Sequence, residues 1–482
     1  MDGSLHLQTS VLKARQGVIA ALACFSIPIL CPAQTTPHGS GTSAAALVTQ
    51  QASLLSEVPA ATQSGAPVPV TLQDAIQRAS KIYSQYLSTV ADAQVSREDF
   101  LQARNAMLPS FGYTQQYLGT QGNGKTPSGR FVTNDGVHVY RLWGVMHQDI
   151  PAGFFAGSSY KRAQAGVALA EAKAEIARRG LVVTVTRSFY TLISAQRKYV
   201  AAQQSTDQAQ RFVEDTSKLE SGGEVAHADV VKAQLQLDQQ RIVFREAELA
   251  MSNAHLALAV LISPLFDENF SAVDDMDHMP VLPPMPELRE QAARQNQDIR
   301  AAVQTLHQAN ADVSIARGGF FPTFSLDAVY GIEANAIALH SAAAAAKDLG
   351  PLPNPGYFIT ATANVPIWNW GTTRSRLKQA ELKRAQAQAD LTQTQREALS
   401  NFYSAYNEAV AARAEIETLR DAAGRAAESL RLTILRYQAG EATALEIVDA
   451  QNAIASARNA LADGEARYRI AIASLQTLTG QF

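Results

Sequence analysis

Two stretches of this sequence spell the same sharp turn, and that repetition limits what the chain can fold into. Residues 430–451 read LRLTILRYQAGEATALEIVDAQ, in which a helix-forming run ends at Arg436-Tyr437-Gln438-Ala439-Gly440 and a second starts almost at once. Thr443 stands as N-cap with Glu446 three residues later, a capping-box spacing. Gly440 suits the left-handed residue just past a helix end. Residues 218–234, KLESGGEVAHADVVKAQ, repeat the design: a shift of 217 residues sets Gly223 on Gly440, Asp229 on Glu446, Val230 on Ile447 and Ala233-Gln234 on Ala450-Gln451. A period longer than one supersecondary unit makes the chain two copies of one plan. Each copy carries the tip of a long antiparallel helix pair.

The helices leading to those tips run from about Ser158 to Ser221 and from about Thr372 to Gln438. At 1.5 Å per residue, ~64 residues reach roughly 95 Å. The returning helices, 224–262 and 441–479, carry a heptad. Ile447, Ile454, Leu461, Tyr468 and Leu475 recur every seven residues, with Ala450, Ala457, Gly464, Ala471 and Leu478 three places on. Val230, Leu237, Phe244, Met251 and Leu258 do the same in the first copy. A strict seven-residue period imposes a left-handed supercoil, and small residues at alternate core positions let the axes approach. With 3 Trp and 17 Phe in 482 residues, slender packing through small side chains is expected rather than a thick globular core.

Each copy also contains sequence of a different period. Helical sequence at 71–107 stops at Leu108-Pro109, after which Phe111, Tyr113 and Tyr117 alternate with Gly112, Thr114 and Gln116. Tyr140, Leu142, Trp143 and Met146 follow beyond a Gly/Asn-rich loop. In the second copy helix over 287–318 gives way to Phe324, Leu326, Ala328, Tyr330 and Ile332, then to Tyr357, Ile359, Ala361, Ala363 and Val365, each alternating with polar or small residues. Period-two, aromatic-rich runs are strands. The expected order in each copy is helix, two strands, long helix, returning helix.

At the N-terminus Lys13 and Arg15 precede an apolar run from Gly17 to Leu30, and Ala33 offers a cleavage site, so 1–33 reads as a secretory signal. A lipidation reading through Cys24 stays open beside it. Residues 34–70, rich in Thr, Ser, Ala, Gly and Pro, read as a flexible linker. The repeats then cover 71–262 and 287–482, with a Pro- and Asp-rich loop over 263–286. A net charge of -3 gives no reason to expect a nucleic-acid partner. The sequence shows no Gly-rich phosphate loop, nucleophile elbow or metal-ligand cluster, so neither an enzyme nor a cofactor is expected. Met276-Asp277-His278-Met279 reads as a solvated loop rather than a soft-metal site.

Four amphipathic strands cannot close a barrel in a membrane, where an open edge is prohibitive. If these strands span a membrane, several copies must share one barrel, two copies making eight strands and three making twelve, and the helices would then continue the tube on the periplasmic side. At this point the chain resembles the TolC family of outer-membrane efflux proteins. The resemblance rests on Arg436-Tyr437-x-x-Gly440 with Glu446-Ile447-Val448-Asp449-Ala450, on Gly223 with Asp229-Val230, and on Val365-Pro366-Ile367-Trp368 with Gly371. Leu108-Pro109-Ser110-Phe111 and Phe321-Pro322-Thr323-Phe324 at the strand starts carry it too. It covers 71–482. It implies a mainly α fold: a long antiparallel α-helical coiled-coil barrel continued into a trimeric 12-stranded transmembrane β-barrel, four strands per chain. It also implies a homotrimer in the outer membrane that reaches through the periplasm to a periplasmic adaptor and an inner-membrane transporter. The function is then a passive exit duct of a tripartite efflux or type I secretion system. A structural coiled-coil protein without a pore is the alternative.

The resemblance assigns a periplasmic gate to Glu446, Asp449, Tyr437, Asp229 and Arg436. Glu446 and Asp449 lie where the family places constricting carboxylates, and three residues apart they share a helix face; the other reading is that they are N-terminal acids favoured by the helix dipole. Tyr437 and Asp229 match positions that hold the tunnel shut, against a plain packed aromatic. The family's arginine after the tip glycine is Ala442 here, and Arg436 stands as a substitute. Both tips, Gly222, Gly223, Glu224 and Val225 with Ala439, Gly440, Glu441 and Ala442, are the adaptor-docking candidates, and tight turns in either case.

Overall fold

The computed structural model describes residues 67–119, 122–123, 126–129, 138–150, 157–264, 269–334, 336–344 and 351–481. The signal and lipidation readings, and the linker up to 66, lie outside the described residues. The last three linker residues form a strand instead: β1, Val68–Val70, pairs in parallel with β6, Phe270–Ala272. This ties the start of the first repeat to the segment between the repeats.

The first repeat continues with α1 (Leu72–Ile82), α2 (Ser84–Asn105), β2 (Ser110–Gly119), a short hairpin β3 (Gly122–Asn123) and β4 (Thr126–Gly129), β5 (His138–Ile150), α3 (Ser158–Ser221) and α4 (His227–Ile262). After β6 the second repeat gives α5 (Met285–Gln295), α6 (Gln297–Gly318), β7 (Thr323–Ala334), a short pair β8 (His340–Ala344) and β9 (Pro351–Pro353), β10 (Pro355–Asn364), α7 (Thr372–Gln438) and α8 (Ala444–Thr479). The helix expected over 71–107 is thus two helices, broken at Tyr83, whose extended backbone ends α1 and starts α2. The second repeat breaks likewise at Asn296, whose side chain accepts from the Ile299 N–H at 3.0 Å. The capping box of α1 joins Thr71 and Asp74, and the adjoining hydroxyl–carboxylate bond holds the Asp74 carboxyl below its ordinary range.

The long helices α3 and α7 run through two tiers. Nearer the sheet, α2 packs on α3, and α6 packs between α3 and α7. Toward the tips, α4 takes the place of α2 and α8 that of α6. The heptads face these seams: Ile447, Ile454, Tyr468 and Leu475 are buried, as are Val230, Leu237 and Leu258. Gly464 lies where a Cβ would come 2.6 Å from the end of the Leu419 side chain, so the small position of the heptad is what brings α8 onto α7.

The largest core is at mid-height. Val70, Leu181, Phe189, Tyr190, Leu192, Ile193, Leu258 and Met276 meet there. The segment holding Met276 is not a solvated loop. Met276 is buried, Tyr468 Oη donates to Pro280 O at 2.7 Å, and Arg469 donates to the carbonyls of Asp275 and His278. Residues 274–280 of the inter-repeat segment form a strap bound across α3 and α8.

The four long strands make one antiparallel sheet in the order β2-β5-β7-β10. Among the described residues no helix is long and apolar enough to cross a membrane.

Candidate functional site

Strand register sorts the residues of the sheet onto two unlike faces. Phe111 lies opposite Met146, which lies opposite Ala328, and that opposite Ile359. Tyr113, Gly144, Tyr330 and Tyr357 form the next row, and Gln148, Leu326 and Ala361 another. One face is therefore an apolar, aromatic band, and Phe111, Tyr113, Tyr117, Tyr330, Tyr357 and Ile359 stand exposed on it. The opposite face is polar and internally bonded. Arg141 Nε donates to Glu333 Oε1 at 2.8 Å and Nη1 donates to Gln116 Oε1 at 3.0 Å. Its guanidinium lies 5.1 Å from the ring centroid of Trp143, which meets Phe358 edge-on. His147 Nδ1 is 2.6 Å from Asp327 Oδ1 and its Nε2 is 3.3 Å from Asp149. Alternation alone shows two faces; only register shows which charges meet. Between the faces Gly331 is obligatory, because a Cβ there would lie 1.9 Å from the backbone oxygen of Leu142.

At the opposite end, both tips close by the same helix-ending motif. Gly223 and Gly440 have φ of +77° and +76°. Glu224 N donates to Leu219 O at 2.9 Å, and Glu441 N donates to Arg436 O at 2.8 Å. These six-to-one bonds satisfy carbonyls that the helix leaves over. The restarts differ. Thr443 and Glu446 form a full capping box, whereas Ala226 before α4 offers no side-chain cap. All eight tip residues, Gly222, Gly223, Glu224, Val225, Ala439, Gly440, Glu441 and Ala442, belong to these two turns. Val225 and Ala442 pack against the small core behind them.

That core joins the two hairpins. Phe212 of α3, Ala233 of α4, Tyr437 of α7, and Ala444 and Ile447 of α8 are buried together. Tyr437 is 8% exposed and meets the Phe212 ring at 5.5 Å. Its hydroxyl donates to Thr216 Oγ1 at 3.4 Å, and Thr216, fully buried, donates to Phe212 O at 2.7 Å. Tyr437 is therefore a packed aromatic whose phenol bridges from α7 to α3. Within the chain it does not pair with Asp229, which sits 3.5 Å from Lys232. Thr216 was invisible to sequence reasoning because nothing in its spacing distinguishes it from other helix threonines.

The carboxylates also separate. Glu446 Oε1 accepts from the Thr443 N–H at 3.1 Å, and Oε2 lies 3.2 Å from Arg436 Nη1. The Thr443 backbone bond, with the Thr443 hydroxyl and Arg436, holds the Glu446 carboxyl below its ordinary range. Arg436 Nη2 donates to Glu441 O at 3.0 Å, so this arginine fastens its own tip. Asp449, one turn further on, is exposed.

A third cluster, unforeseen from sequence, lies at mid-height. Glu465 of α8 is 3% exposed, with Arg197 of α3 at 2.7 Å and Arg420 of α7 at 3.1 Å. Burial pushes its carboxyl up, against the pull of the two guanidinium groups. Arg197 also holds Asp274 and Asp277 of the strap, at 2.5 and 2.8 Å.

A family model described as outer membrane efflux protein matches residues 73–263 and 288–481. The outer membrane protein TolC of Vibrio cholerae is 22% identical over 436 residues, 87% of this chain and 92% of its own. The cation efflux system protein CusC of Escherichia coli is 26% identical over 62% of this chain, which spans 64% of that relative. Among solved structures, the outer membrane protein VceC of Vibrio cholerae superposes with a TM-score of 0.73 at 20% identity, covering 85% of this chain and 96% of that one. The duplicated sequence, the amphipathic four-stranded sheet and the matched residues agree: the chain belongs to the outer membrane efflux protein family and is an outer-membrane channel component of an efflux system.

Proposed function

We propose that three copies of this chain close a 12-stranded barrel in the outer membrane and a 12-helix tunnel below it, forming a passive duct. The observation that carries this is the four-stranded sheet, apolar on one face and, among the described residues, with β2 and β10 unpaired at its two edges. In lipid such edges must be met, and identical subunits meet them at least cost in new surface. The helices offer a matching interface. Leu235, Ile242 and Leu249, spaced seven apart, lie exposed on α4 away from its buried heptad. Arg141, Glu333, His147 and Asp327 then line the lumen, and the apolar band faces lipid.

The tips form the periplasmic gate and the docking end. Tyr437 and the small core around it hold the two hairpins of one subunit together, with Thr216 as its partner. Asp229 and Arg436 belong to the same gate, Arg436 as the brace of the second tip. Asp449, with Glu446 behind it, supplies the acidic constriction. The turns at 222–225 and 439–442 take a periplasmic adaptor, which links the duct to an inner-membrane transporter. The duct performs no catalysis of its own.

The test is conductance across planar bilayers, with the particle mass measured by native mass spectrometry in detergent. A trimer with a small conductance blocked by multivalent cations from the tip side is expected. Glu446→Gln with Asp449→Asn should weaken that block; unchanged block places the constriction elsewhere, and a non-conducting monomer rejects the duct.

A further inference from the structure

Between the last strand and the longest helix the chain makes a turn whose sequence contradicts its shape. Asn369 O accepts from Thr372 N at 3.0 Å and from Thr372 Oγ1 at 2.8 Å. The two residues inside that turn, Trp370 and Gly371, have φ of +54° and +80°. Two successive left-handed residues make the mirror image of a type I turn, which favours Asn, Asp or Gly at its first inner position. Trp370 is the one non-glycine residue with positive φ among those described. Its side chain is 88% exposed and meets the Trp368 ring edge-on at 5.7 Å; Ile367 and Trp368 are exposed beside it. A large aromatic in a backbone conformation suited to glycine, with little of its own chain around it, is there for what it reaches outside the chain.

Topology limits what it reaches. β10 ends at Asn364 opposite Thr323, and β2 begins at Ser110 opposite His147, so both ends lie at one rim of the sheet. β2 and β10 are the two edges and run in opposite senses. Setting β2 of one copy against β10 of another continues the antiparallel ladder. It also brings residues 365–370 of one copy beside 107–111 of the next, where Met107, Leu108 and Phe111 are exposed. A lipid layer is fluid and imposes no backbone conformation; a packed protein surface does.

We propose that Trp368 and Trp370 of one copy pack on Met107, Leu108 and Phe111 of a second copy, latching neighbouring subunits at the periplasmic rim of the barrel. The latch rests on the shared-barrel reading above.

Trp370→Gly separates the latch from local folding, since it relieves the turn while removing the ring. The temperature at which the detergent-solubilised oligomer dissociates on a semi-native gel should fall, although the turn itself is improved. In a chain with Cys24→Ala and Cys31→Ala, the pair Leu108→Cys and Trp370→Cys should form disulfides between copies. With Trp143→Phe, quenching of the remaining tryptophans by brominated lipid should be weak. Unchanged dissociation, no cross-link and strong quenching overturn the latch and assign the rim to lipid. Native mass spectrometry of the same sample keeps the two ideas apart: an intact oligomer with those results sinks the latch alone, and a monomer sinks the shared barrel.

Discussion

Glu446 serves two partners, the Thr443 backbone and Arg436, and both require it ionised. Its folded carboxyl lies below the ordinary value, so its contribution is complete above the unfolded carboxylate range, about pH 4.5. It is lost as pH falls through the depressed value. Protection of the amides of Ala444–Ile447, measured as exchange relative to the intrinsic rate at each pH, should therefore stay flat from neutral pH down to about 5 and fall in stronger acid. The Glu446→Gln chain should lack that step; if it keeps the step, another group carries it. At this scale the sequence was readable where a residue works on its neighbours. The capping box and the two tip glycines follow from spacing. Thr216, which takes the Tyr437 phenol, and Glu333, which takes Arg141, answer to residues far along the chain, and no local pattern marks them.

Among the elements, the strap between the repeats does more than connect them. Through Arg197 and Glu465 it is pinned to α3 and α8, and Arg420 carries the same link to α7. Removing one partner of a buried pair leaves the other poorly compensated. Arg197→Ala should destabilise the fold by about 2 kcal/mol, less than a fully buried pair because the arginine is a quarter exposed and Arg420 remains. Denaturant unfolding checks this, and Arg197→Lys should recover part of the loss. A change below measurement would mean that the apolar contacts of Met276 hold the strap unaided. The helices and strands were legible because period 3.5 is written in the buried residues of the helices and period 2 in the two unlike faces of the strands. The strap was not, since its Pro and Asp residues are those of any loop. What distinguishes it is the depth of Met276 and the arginines awaiting its carboxylates. The breaks at Tyr83 and Asn296 were hidden for a similar reason, as apolar periodicity continues across both.

For the whole molecule, the open flanks matter most. Leu235, Ile242 and Leu249 each gain about 1.5 kcal/mol or more when buried, and in the proposed trimer each would be repeated three times. Replacing all three with Ser should leave the helical circular-dichroism signal intact and shift native mass spectra from trimer toward monomer. A trimer as stable as before would show that this seam faces water. The duplication makes the subunit almost, but not quite, symmetric about itself: one hairpin restarts behind Thr443 and Glu446, the other behind Ala226 with no cap. Around the threefold axis of the proposed trimer the six hairpin ends would therefore alternate between firm and loose. Any protein gripping that ring meets two kinds of seat, and its binding curve should resolve into two steps of equal stoichiometry, the firmer three filling first.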